Sequence, residues 1–132
     1  MDEERSNDLA LSELQLTLMR VLWARGEAST AEVVEALHES GRPLAHTTVA
    51  TLLSRLEKRG LISASRDGRQ LRYVALVDEP EVQRSMVSGL LSSLFQGQPS
   101  RLMSHLLSEG EIADDDLAEM RKLLSRRGGR HA

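Results

Sequence analysis

The segment from residue 45 to residue 60, AHTTVATLLSRLEKRG, restricts the possible folds of this chain more than any other stretch. Its large apolar residues recur at intervals of three and four, which is the spacing of one helix stripe: Val49, Leu52, Leu53 and Leu56. Gly60 follows them, and glycine adopts the positive φ of a helix end without a steric penalty. The segment therefore predicts an amphipathic helix that ends at this glycine.

The opposite face of the predicted helix carries short hydroxyl side chains and basic groups, with no acid before Glu57. The residues concerned are His46, Thr47, Thr48, Ala50, Thr51, Ser54, Arg55 and Lys58. A groove lined with phosphates and base edges favours such a face, because it offers short donors, a basic end and no negative charge. We interpret it as a DNA-reading surface, and an ordinary solvent-exposed helix is the alternative.

The elements around this helix follow the order of a winged helix-turn-helix domain. Helices are predicted over residues 12–25 and 31–40, and Gly41 lies in the turn before the third helix. After Gly60 the apolar period changes to two, which predicts strands over 61–66 and 69–77 around a type I′ turn centred on Asp67-Gly68. The hairpin would be the wing, and the third helix would enter the major groove.

Charge is distributed unevenly along the chain, although the formal net charge is only −3. Residues 41–73 hold seven Lys or Arg against two acids, whereas residues 78–124 hold nine acids against four basic side chains. Arg66, Arg69 and Arg72 cluster at or beside the wing tip, where they would contact phosphates. A solvated hairpin end is the alternative interpretation of these three arginines.

Three further helices are predicted after residue 78. They contain more large apolar residues than a segment of about 50 residues can bury in a core of its own. The positions are Val82, Met86, Leu90, Leu94, Leu102, Leu106, Leu117, Met120 and Leu124. A second copy of the chain would cover them, and packing against the chain's own DNA-binding part is the alternative. The expected fold is mainly α with a small β-hairpin: a winged domain over 9–77, a helical dimerisation region over 78–125, and a basic disordered tail over 126–132.

Composition argues against most enzyme classes. The chain has no cysteine, which excludes disulfides, thiol catalysis and thiolate metal sites, and its four histidines lack helical ligand spacing. No phosphate-binding loop or nucleophile motif is present, so no enzyme activity, cofactor or metal is expected. Residues 114–116 are all aspartate, and a helix start explains them better than cation binding. With no apolar run near 20 residues and an acidic first segment, a cytoplasmic protein without membrane insertion is expected.

Three motifs make the chain resemble the penicillinase-repressor family, of the BlaI/MecI/CopY type: residues 14–23, residues 47–61, and Arg72-Tyr73 on the returning strand. The resemblance covers about residues 11–124 and implies a dimeric transcriptional repressor on a palindromic operator, with a three-helix dimerisation region. It implies that Thr47, Thr48, Ala50 and Thr51 face base edges, and that Arg55, Lys58, Arg69 and Arg72 serve phosphates. Some members carry arginine where this chain has Ala50, so the operator is expected to differ.

The resemblance does not identify the signal that would release the repressor. In one branch a membrane sensor-protease triggers cleavage at an Asn-Phe bond, and this chain has His105-Leu106 at the aligned position. In the copper branch a cysteine pair binds metal, and this chain has none. No sequence motif indicates a small-ligand site between the DNA-binding and dimerisation regions. The rival to a DNA-binding function is a winged helix that contacts only protein.

Overall fold

The computed structural model describes residues 9–131, and their side chains through residue 128. Its elements in the first two thirds of the chain are α1 (Glu13–Arg25), β1 (Ala28–Ser29), α2 (Thr30–Glu39), α3 (His46–Lys58), β2 (Ile62–Asp67) and β3 (Gln70–Ala75). Three helices follow: α4 (Glu79–Phe95), α5 (Pro99–Ser108) and α6 (Asp114–His131). The predicted class, mainly α with a winged helix-turn-helix domain, is confirmed.

Reciprocal capping boxes start the first two helices. The Ser12 Oγ accepts a hydrogen bond from the Gln15 N–H at 3.1 Å, and the Gln15 side chain accepts one from the Ser12 N–H at 3.1 Å. Ser29 and Glu32 repeat this arrangement at the start of α2, at 3.2 and 2.9 Å. Each box satisfies two backbone donors that a helix start otherwise leaves unpaired, which explains why both helices begin where they do.

The core of the winged domain is aliphatic and lies beneath α3. All four apolar residues of the predicted α3 stripe are buried, and they pack in one cluster with Leu18, Met19 and Leu22 of α1. Trp23 is half-buried at its margin, where its Nε1–H donates a 2.9 Å hydrogen bond to the Val77 carbonyl. The inner face of α3 is therefore fully used in packing, and only its outer face is available to a partner.

The sheet has the order β1-β3-β2, so that β3 pairs with both other strands in an antiparallel manner. The hairpin turn differs from the prediction by one residue. Asp67 pairs with Gln70, so the two loop residues are Gly68 and Arg69 instead of Asp67 and Gly68. Only the first of them, Gly68, has a positive φ (+65°), as in a type II′ turn.

The chain divides into two compact units, with the division after Gly89 instead of at the predicted boundary of residue 78. The start of α4 belongs to the first unit because Val82 is only 1% exposed and Met86 packs against the same core. Val82 was predicted to contact a second copy, and that prediction is wrong, since its side chain is already buried in its own domain.

The second unit contains the rest of α4, then α5 and α6, and it exposes many leucines. Phe95 and His105 are in ring contact at 5.8 Å between centroids. The disordered tail predicted over 126–132 is a further correction, because α6 continues through His131 and Ala132 lies outside the described residues. Arg126 and Arg127 lie near the carboxyl end of α6, where the negative end of the helix dipole favours cations. None of the helices in residues 9–131 is long and apolar enough to cross a membrane.

Candidate nucleic-acid interface

The outer face of α3 is exposed almost throughout. The residues predicted to read DNA from this helix are exposed except Ala50, which is half-buried: His46, Thr47, Thr48, Thr51, Ser54, Arg55 and Lys58. The Thr51 hydroxyl donates a 2.9 Å hydrogen bond to the Thr47 carbonyl. Thr51 therefore offers a partner its acceptor lone pairs and its methyl group, and its hydroxyl proton is used within the helix.

The amino-terminal end of α3 differs from those of α1 and α2. Its cap position is Ala45, and no side chain accepts a hydrogen bond from the first turn. The backbone N–H groups there consequently keep their donor capacity, and the positive end of the helix dipole favours an anion. Sequence reasoning missed this feature, although an alanine at the cap position is a visible signal because alanine lacks a capping oxygen.

The wing tip brings a second basic group to this end of α3. Arg66 and Arg69 are exposed, and within residues 9–128 neither side chain makes an ion pair. A cavity of about 270 Å³ lies between the wing and the first turns of α2 and α3; its lining includes Thr30, His46 and Arg69. The fold therefore places His46 beside a wing arginine, which the linear sequence does not reveal.

Arg72 does not share this free basic surface. Its Nε donates to the Glu27 carboxylate at 2.9 Å, its Nη1 lies 2.9 Å from the Glu32 carboxylate, and its side chain is only 21% exposed. The prediction that Arg72 serves a phosphate is not supported by this geometry, because two carboxylates engage its Nε and Nη1 and offset its charge. Alternation along β3 places Arg72 on the strand face opposite to Leu71 and Tyr73, towards these two acids.

A sequence profile described as "Penicillinase repressor" matches residues 11–126. The chain belongs to the penicillinase repressor family. The resemblance seen in the three sequence motifs is thereby confirmed over nearly the whole chain.

Individual relatives agree with this assignment. This family member is 31% identical over 116 residues to the transcriptional regulator BlaI of Mycobacterium tuberculosis, covering 87% of this chain and 83% of BlaI. It is 22% identical over 117 residues to the methicillin resistance regulatory protein MecI of Mammaliicoccus sciuri, covering 89% of this chain and 94% of MecI. The solved PcaV transcriptional regulator of Streptomyces coelicolor shares the fold at 20% identity, with a TM-score of 0.50 over 92% of this chain and 77% of PcaV.

Glu27 and Glu32 contact Arg72 at the point where the wing joins the rest of the first unit. The pKa of the Glu32 carboxyl is lowered, first by the hydrogen bond from the Ser29 backbone N–H and further by the Ser29 hydroxyl and Arg72. The pKa of the Arg72 guanidinium is raised, chiefly by its hydrogen bond to Glu27. Both directions favour the charged forms, as expected for an ion pair that is also hydrogen-bonded.

We expect replacement of Glu32 by glutamine to lower stability at neutral pH and to matter less in acid. A carboxyl whose folded pKa is depressed contributes stability above its unfolded pKa, and this contribution disappears as the pH falls through the folded value. Glutamine keeps the capping geometry and removes the charge. Urea unfolding measured from neutral to acidic pH should show the free energies of unfolding of Glu32→Gln and of the unaltered chain converging as the pH falls. Glu35→Gln on the same helix is the control, and a gap between Glu32→Gln and the unaltered chain that stays constant with pH would contradict the assignment.

Proposed function

We propose that this chain is a dimeric transcriptional repressor that binds a palindromic operator through the outer face of α3 and the wing tip. One observation carries the proposal: the exposed face of α3, which has no acid before Glu57, stands beside a wing tip whose two arginines form no ion pair among the described side chains. A solvated surface helix does not require this combination. One matched relative is named a transcriptional regulator and another a regulatory protein, which supports the same function.

The side chains of α3 divide into two roles. Thr47, Thr48, Ala50 and Thr51 lie on the first turns, where a helix in the major groove presents side chains to base edges. Ala50 and the Thr51 methyl suit contact with a thymine methyl, since neither is a hydrogen-bond donor there. Ser54, Arg55 and Lys58 follow towards the carboxyl end, where they serve phosphates together with Arg66 and Arg69 of the wing.

The second unit supplies the dimer contact in this proposal. Leu90, Leu94 and Leu124 are exposed, while Leu102, Leu106, Leu117 and Met120 are half-buried. A two-fold dimer covers such a surface and places two α3 helices on half-sites about one DNA turn apart, or a multiple of it. Val82 and Met86 are omitted from this contact because Val82 belongs to the core of the first unit and Met86 packs against that core.

The site of action in this proposal is the cytoplasm, where an operator is accessible. Release by a membrane sensor-protease belongs to one branch of the family, and this chain has His105-Leu106 in place of the Asn-Phe bond cleaved there. The bond His105-Leu106 lies inside α5, whose backbone is helical. A protease requires an extended backbone at the cleaved bond, so cleavage there would need α5 to open first.

Selection from a random duplex library, at two salt concentrations, tests the function directly. We expect enrichment of one palindrome with half-sites about one turn apart or a multiple of it, and a steep loss of binding as salt rises, because phosphate contacts release counterions. Absence of enrichment at both concentrations would contradict the proposal and favour a winged helix that contacts only protein.

The selected duplex then tests Arg55, which is exposed on α3. Replacement by alanine is expected to weaken binding to all sequences and to reduce the slope of log K against log salt by about 0.9, the contribution of one phosphate contact. Arg84→Ala, which removes an exposed arginine from α4, is the matched control for net charge. Equal slopes for the two variants would remove Arg55 from the interface.

A further inference from the structure

Four charged side chains meet where the wing joins the rest of the first unit, and we call them the ion cluster: Arg25, Glu27, Glu32 and Arg72. Arg72 contacts Glu27 and Glu32 at 2.9 Å each, and Arg25 contacts the other oxygen of Glu32 at 3.3 Å. Two cations thus face two anions, so the cluster has no net charge. It connects the end of α1, the approach to β1, the first turn of α2, and β3.

The position of Arg72 along β3 is the second observation. Ser29 pairs with Arg72, and β1 ends there. Beyond this point towards the tip, β3 pairs only with β2, through Arg66 opposite Leu71 and Asp67 opposite Gln70. The wing tip is therefore a two-stranded overhang that begins at Arg72, and such ribbons have little stability of their own.

Both wing arginines lie in this overhang. The direction in which the overhang leaves the sheet decides where Arg66 and Arg69 stand relative to α3. Arg72 is the last β3 residue, towards the tip, with partners on both neighbouring strands, and its guanidinium is held by two elements outside the hairpin. A planar guanidinium with two carboxylate partners has a defined orientation, which a lysine ammonium would not have.

We infer that Arg72 is a positioning residue: the ion cluster sets the direction of the wing and so places Arg66 and Arg69 on the DNA backbone, while Arg72 itself contacts no phosphate. The inference rests on the proposed function. It reverses the role that the family resemblance implies for this residue. A phosphate contact by Arg72 would have to use the donors that the two carboxylates leave, on a guanidinium whose charge they already offset.

A double-mutant cycle on DNA affinity separates positioning from direct contact. Arg69→Ala and Arg72→Ala are each expected to weaken operator binding by on the order of tenfold. In the Arg72→Ala background, Arg69→Ala should cost less than about twofold, because the displaced wing has already lost the Arg69 contact. Additive losses would overturn the inference, since two independent phosphate ligands add.

Glu27→Gln supplies a second variant that leaves the strands unaltered. The Glu27 side chain is 60% exposed and lies outside the helices and strands, so its replacement is expected to spare the fold. Removal of an acid near DNA tightens binding by charge alone. Positioning predicts the opposite sign, weaker binding, because Arg72 loses an ionised partner and keeps only the weaker hydrogen bond to a neutral amide oxygen. Tighter binding by Glu27→Gln would overturn the inference.

Amide hydrogen exchange without DNA provides a readout that does not depend on the function. Arg72→Ala and Glu27→Gln are expected to speed exchange in the overhang, residues 66–71, while Arg69→Ala leaves it unchanged. Unchanged exchange in all three variants would overturn the inference about Arg72 and leave the proposed function standing. Failure of the unaltered chain to bind any duplex would instead overturn the proposed function, and the inference with it.

Discussion

Replacement of Leu53 by alanine is expected to lower the free energy of unfolding by about 3 kcal/mol. Leu53 is fully buried on the inner face of α3, within the aliphatic cluster that also contains Leu18 and Leu22. The substitution removes the transfer free energy of the deleted carbons and leaves a cavity that rigid helices close only partly. Because the free energy of unfolding of a natural domain is about 5–15 kcal/mol, this loss is a large share of the total stability.

Urea unfolding followed by circular dichroism measures this effect. Ser54→Ala is the matched control, since it alters the next residue on the exposed face of the same helix. The control should change the free energy of unfolding by no more than about 0.5 kcal/mol. A loss below about 1 kcal/mol for Leu53→Ala would mean that α3 does not pack against the core as described.

Replacement of Leu94 by glutamate is expected to convert the proposed dimer to a monomer and to weaken binding to a full palindrome by about 100-fold to 10,000-fold. The Leu94 side chain is 66% exposed within its own chain, so a charge there costs the protomer little. In the proposed dimer the same carboxylate would be buried without a partner, which is strongly unfavourable. The affinity falls because the second half-site no longer binds within the same complex.

Sedimentation gives the oligomeric state, and titration with full and half operators gives the two affinities. Ser92→Glu is the control, because it adds the same charge to the same helix about half a turn away, on an exposed position. Half-site affinity should be unchanged in both variants. A Leu94→Glu protein that remains dimeric, or a monomer that keeps full palindrome affinity, would exclude the proposed role of the second unit.

Local patterns in the sequence were sufficient for most of the fold. The α3 stripe, the capping boxes at Ser12 and Ser29, and the change of period at Gly60 each depend on neighbours within about four residues. Interactions of this range are encoded by spacing, and spacing is visible in a linear sequence. The exposed face of α3 could be predicted in the same way, because a helix with one apolar stripe must expose the other side.

Tertiary packing changed the expected roles of Val82 and Arg72, and the partners of both residues are distant in sequence. Val82 has the spacing of an interface residue, yet it is buried in the first unit. Arg72 is a basic residue of the wing and was expected to contact a phosphate, yet its Nε and Nη1 contact Glu27 and Glu32, which are far from it in sequence. The hairpin turn is a local exception: it lies one residue later than predicted because β2 and β3 continue to pair as far as Asp67 opposite Gln70.

The difference between these two groups has one physical origin. Helix caps, stripes and hairpin periods are short-range interactions, so the order of the residues determined α3, its exposed face and the winged layout. The packing of separate elements determines which apolar side chains are buried within their own domain. It also determines which arginines form ion pairs with carboxylates. That packing alone decided that Arg66 and Arg69 remain available at the wing tip while Arg72 is held at its base.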